Sequence, residues 1–228
     1  MKKDKKLTSS EKIAARTESF FAKNARLLAI IGIIIVVLCV VIAVVSITSN
    51  SSRDKIATAT YELEQDYYNL LVMDETSDEY NTAASEFIAS ADAIISEAKA
   101  GDYASLKAKY LLGLYYYDAE DWANALSYFE QVVNEGGDTY LVSLSMMNAA
   151  ASAENAGDTE TALSYYNRVW DTYAAEAPES PKALFNSARI YEQTGDTELA
   201  VATYSQLRDE FTTSEYAALA EARLLVLE

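Results

Sequence analysis

The side chains that could do chemistry in this sequence are carboxylates. Thirty-five Asp and Glu stand against 18 Lys and Arg, with no histidine and a single cysteine, Cys39. Without imidazole the Ser–His, Cys–His and His–metal constellations of hydrolases cannot be assembled, and one thiol gives neither a disulfide nor a Cys-based zinc site. Paired carboxylates can act as general acid and base or hold a cation, but here they are dispersed along helical faces, and no Asp-x-Asp-x-Asp-Gly loop appears. The sequence points away from an enzyme, with no catalytic residue, cofactor or metal expected. A net charge of −17 also repels nucleic acid.

The elements that would position any binding group begin with an apolar run. Leu27 to Ile47 contains no charge over 21 positions, and sixteen of these are Leu, Ile or Val. As a helix it is roughly 31 Å long, matching the ~30 Å hydrocarbon core of a bilayer. The sixteen aliphatic residues favour insertion by on the order of 5 to 10 kcal/mol. Residues 1–26 carry eight basic and three acidic side chains, a net of +5, so the rest of the chain carries −22. The positive-inside rule then predicts a single-pass topology with a cytoplasmic N-terminus and a far-side C-terminal domain. The run is too long for a cleaved signal peptide, and Leu38 before Cys39 does not suit a lipoprotein signal.

Thr48 to Arg53 reads as a short polar linker. Beyond it, 54–228 is poor in Pro and Gly and rich in Ala, Glu, Leu and Tyr, which favours helix. A repeat is present. Gly157-Asp158-Thr159-Glu160 with Ala162 and Tyr166 recurs 38 positions later as Gly195-Asp196-Thr197-Glu198 with Ala200 and Tyr204. Ala125-Leu126-Ser127-Tyr128 recurs 37 positions later as Ala162-Leu163-Ser164-Tyr165. Such periods in helical pattern signal a solenoid of helix pairs.

The pattern resembles the tetratricopeptide repeat, with a small residue in one helix and Ala-x-x-x-aromatic in the next. It appears as Leu112, Gly113, Tyr116, Ala125 and Phe129 in unit 106–139. Unit 143–176 carries Ala150, Gly157, Ala162 and Tyr166, and unit 181–214 carries Ala188, Tyr191, Gly195, Ala200 and Tyr204. A degenerate unit, 64–97, keeps Tyr67, Leu70, Ala83 and Phe87, and 215–228 reads as a capping helix. The expected fold is thus all-α: a basic tail 1–26, a transmembrane helix 27–47, a linker 48–53 and a tetratricopeptide-type α-solenoid over 54–228. Gly157 and Gly195 are expected to end first helices in a left-handed conformation. Asp158 and Asp196 are expected to cap second helices, and Ser180-Pro181 to start another.

The resemblance implies that first helices line a groove. Its floor here would be Tyr110, Leu114, Tyr117, Met147, Asn148, Ala151, Phe185 and Arg189, a set suited to a protein or peptide partner. The alternative for these residues is packing against neighbouring repeats. Chaperone-binding relatives grip a terminal carboxylate with five Lys, Asn and Arg side chains; only Asn148 and Lys182 match, while Tyr110, Leu114 and Asn186 differ, so an acidic chaperone tail is not expected. The layout of basic tail, anchor and acidic repeat domain is similar to the ancillary subunit of the bacterial Sec translocon. That likeness implies a membrane-anchored adaptor on the periplasmic face, tied to translocation or periplasmic chaperoning. The competing expectation is an envelope-organising protein serving cell-wall synthesis, cell division or outer-membrane assembly.

Overall fold

A computed structural model describes residues 9–227; within the first helix it leaves out the side chains at 9–16, 19, 21, 27–30, 32–33 and 43–51. Among the described residues all regular structure is helical. The elements are α1 (Ser9–Leu70), α2 (Asp78–Glu97), α3 (Tyr103–Asp118), α4 (Trp122–Glu135) and α5 (Tyr140–Asn155). They continue with α6 (Thr159–Tyr173), a 3₁₀ turn (Ala174–Glu176), α7 (Ser180–Thr194), α8 (Thr197–Glu210) and α9 (Glu215–Leu227). The chain divides into two units, Met1–Lys55 and Ile56–Glu228.

In the first unit, α1 carries the apolar run on a helical backbone. Ile31 and the nine side chains from Ile34 to Ile42 are described, and all are exposed. Among the described residues no helix is long and apolar enough to cross a membrane. The other side chains of the predicted 27–47 span, and residues 1–8 of the basic tail, lie outside what is described. The linker expected at 48–53 is instead part of α1. Thr, Ser and Asn each cost only up to about 0.7 kcal/mol in a helix, and without Gly or Pro nothing there forces a break.

The second unit is a run of helical hairpins, each packed on its neighbours in sequence. The small residues sit where helices meet. Ala125, Ala150, Ala162, Ala188 and Ala200 are fully buried. A Cβ on Gly113 would lie 2.6 Å from the Phe129 ring, so only glycine fits between α3 and α4. Phe129, Tyr166 and Tyr204 follow the alanines by one turn and are buried too. The degenerate unit packs in the same way, Tyr67 and Leu70 of α1 meeting Phe87 of α2 in one apolar cluster.

Gly157 (φ +83°) and Gly195 (φ +86°) take the left-handed conformation. The Asp158 carboxylate accepts from the Thr161 amide at 3.0 Å, capping α6. Two start signals differ from expectation. Asp196 occupies the N-cap of α8, but its carboxylate accepts from the Thr194 hydroxyl, 3.3 Å away, and makes no capping bond. Ser180 lies inside α7 with Glu179 at the N-cap, and Pro181 falls in the first turn.

Candidate partner-binding face

The first helices of successive pairs, α1, α3, α5, α7 and finally α9, are joined by a series of polar contacts. Between α1 and α3, Lys107 Nζ meets Glu64 Oε1 at 2.5 Å and the Tyr67 hydroxyl donates to Asp118 Oδ2 at 2.7 Å. Between α3 and α5, Asn148 Nδ2 donates to the Tyr110 hydroxyl at 3.2 Å, and Asn155 Nδ2 to the Tyr117 hydroxyl at 2.9 Å. Between α5 and α7, Arg189 Nη2 meets the Glu154 carboxylate at 2.8 Å. Between α7 and α9, Arg223 pairs with Glu192.

The last two contacts are copies of one device. Glu154 and Glu192 stand 38 positions apart and each receives a hydroxyl from the second helix of its own hairpin, Tyr166 at 3.3 Å and Tyr204 at 3.2 Å. One unit earlier the corresponding positions hold Tyr117 and Phe129. Phe129 has no hydroxyl to satisfy, and Tyr117 meets a neutral amide in place of an Arg. The electrostatics follow. Burial, helped by the Glu192 carboxylate, pushes the Tyr204 hydroxyl up to about 12. Burial and Glu154 push Tyr166 up further. The Arg223 hydrogen bond holds Glu192 below the usual carboxylate range. The tyrosines therefore remain donors, and Glu192 remains a charged acceptor.

The eight residues expected to floor a groove are partly or fully covered. Met147 is buried; Tyr110, Leu114, Tyr117, Asn148, Ala151, Phe185 and Arg189 are half-buried. Tyr110, Tyr117, Asn148 and Arg189 are engaged in the inter-helix contacts above. Phe185 sits between the rings of Tyr204 and Tyr216, with centroids 5.7 and 5.8 Å away. Successive first helices approach closely enough for Tyr110, Tyr117, Asn148 and Arg189 to bridge neighbouring repeats.

Exposed aromatics lie elsewhere on the same helices. Tyr61, Tyr103 and Tyr140 are 64, 50 and 58% exposed. They are 42 and 37 positions apart, the offsets that separate the repeat units, and each stands three residues before a unit begins. Tyr103 and Tyr140 share a hydroxyl–hydroxyl bond of 3.1 Å, which with burial pushes Tyr103 up to about 12. Tyr68, two turns further along α1, is exposed as well. The 37-residue offset was the signal for this row, although it lies just outside the core motif. Two lysines of α3 were also not singled out: Lys107, and Lys109, which is 5% exposed and meets Glu135 of α4 at 2.5 Å. Among the described residues no cluster of acids suits a metal ion.

Comparison with known proteins agrees with this architecture. Tetratricopeptide-repeat family models match residues 110–170 and 153–224. Among solved structures, the chain is similar to nearly identical TPR-like repeats of a Podosopora anserina protein described as a kinesin light chain, at 14% identity and a TM-score of 0.54. That match covers 76% of this chain and 85% of the other. A single-substitution variant of the same repeats matches equally, with 84% of that chain covered. At this identity the likeness speaks for the fold alone. No curated protein matches the chain. With helical hairpins, buried Ala-x-x-x-aromatic pairs and two overlapping family matches across 110–224, the chain is a tetratricopeptide-repeat protein.

Proposed function

We propose that the protein is a non-enzymatic adaptor that holds a partner protein at the outer face of a bacterial cytoplasmic membrane. The observation that carries this reading is the run of tetratricopeptide repeats, an architecture whose stacked helices mediate protein–protein contact. The anchor rests on the uncharged run from Leu27 to Ile47 and on the +5 and −22 division of charge around it. The side chains of Val36 to Ile42 that are described stand 52 to 65% exposed, which in water is unfavourable and in lipid is not. A secreted chain emerging beside the Sec translocon is the class of client that this location suits.

The topology is tested in a Cys39→Ser background. A cysteine at Ser52 is expected to react with a membrane-impermeant thiol reagent in spheroplasts, and one at Ser9 is not. The reverse pattern would end the periplasmic reading. Cross-linking of the full chain in native membranes, followed by mass spectrometry, is expected to recover a protein partner; a chain recovered alone would end the adaptor reading.

A further inference from the structure

The exposed tyrosine row ends at a charged cleft. Tyr140, at the start of α5, lines a cleft of about 550 Å³ between the turn before α5 and the segment after α6. Asp138, Tyr173, Glu176 and Pro178 line it too, and no Lys or Arg is among its lining residues. The Asp138 and Glu176 carboxylates are exposed. Arg168 acts on Tyr173 from outside the lining, and Asp138 opposes it there. On α3, Lys107 meets the Glu64 carboxylate of α1, which neutralises it.

We propose that Tyr61, Tyr103, Tyr140 and the adjoining Asp138–Glu176 cleft form a docking surface for an arginine-rich extended segment of a partner protein. This rests on the adaptor reading and names the chemistry of the partner. Three exposed phenol rings at repeat spacing offer π faces to guanidinium groups, and the cleft supplies two carboxylates, each an acceptor that a guanidinium fork can engage bidentately. The −22 charge of residues 27–228 draws such a segment in and turns acidic ones away. An ammonium group is held by the same carboxylates but stacks less well on the rings, so the surface discriminates Arg from Lys.

The test measures fluorescence anisotropy of labelled nona-arginine and nona-lysine peptides against the purified full-length chain in detergent. Nona-arginine is expected to bind more tightly than nona-lysine. Tyr103→Leu with Tyr140→Leu keeps apolar area but removes the π faces, and should weaken nona-arginine about fivefold and abolish the preference. Asp138→Asn with Glu176→Gln should weaken both peptides. Should the double Tyr variant lose helicity by circular dichroism, Tyr61→Leu on α1 supplies the same comparison. Undiminished nona-arginine binding by the Tyr variants, or no Arg preference in the parent, would overturn the inference as mere charge attraction. The adaptor reading fails separately, if the parent chain cross-links to no partner in native membranes.

Discussion

Glu154 receives Tyr166 from its own hairpin and Arg189 from the next, so one carboxylate serves both the fold within a repeat and the join between repeats. Both members of the ion pair are about 30% exposed at the side chain, which keeps the pair in the modest range for surface contacts. A double-mutant cycle of Glu154→Gln and Arg189→Gln, followed by urea denaturation, is expected to return a coupling of about 0.5 to 1 kcal/mol. A coupling of zero would reduce the pair to a crowding contact. The eight groove positions illustrate where sequence reading stops. Their register was legible, since Tyr110, Met147 and Phe185 fall on one periodic position. The contacts they make with the next helix were not, because periodicity tells which side chains share a face and not how near the next helix comes. Tyr117→Ala and Phe185→Ala are therefore expected to lower thermal stability by removing inter-repeat contacts, and loss of a partner in those variants would carry no message about binding.

Small residues set the spacing of the helices, and this was legible in detail. Gly113, Ala150 and Ala188 were marked by size and period alone, and each proves to be buried at a helix contact. Gly113→Ala would bring a methyl group to 2.6 Å from Phe129. Ala is the better helix former by about 1 kcal/mol, but overpacking costs roughly 1 to 3 kcal/mol and prevails. The variant should melt lower than the parent, and adding Phe129→Leu should recover part of the loss by making room for the methyl. Equal additive losses would show that the methyl meets something other than the ring. Element ends were less legible. Asp158 caps and Asp196 does not, although both follow a left-handed glycine, because Thr194 competes for the second carboxylate. The continuation of α1 through 48–53 was missed for a related reason: a polar composition without Gly or Pro only weakly opposes helix.

Across the whole molecule, the raised tyrosines predict how stability depends on pH. Tyr103, Tyr165 and Tyr204 are pushed up to about 12 in the folded chain, while an unfolded tyrosine ionises near 10. Between these values the unfolded chain has lost protons that the folded chain keeps, so stability falls as pH rises. Melting temperature should hold below about pH 10 and decline between about 10 and 12. At the other extreme Glu192 is held low, so its contribution persists above the ordinary carboxylate range and disappears as acid protonates it. A flat profile from pH 10 to 12 would mean that the tyrosine hydroxyls are solvated in solution.

The joins between first helices differ in kind along the stack: Tyr–Asn pairs hold α3 to α5, while ion pairs hold α5 to α7 and α7 to α9. Mobile counterions weaken a partly exposed ion pair and leave a neutral hydrogen bond untouched. Ionic strength therefore selects where the array comes apart. In native-state hydrogen exchange, raising the salt from low to molar concentration should hasten amide exchange in α7 to α9 while α3 to α5 keep their protection. A concentrated electrolyte thus loosens the C-terminal joins of the array while the Tyr–Asn join between α3 and α5 holds.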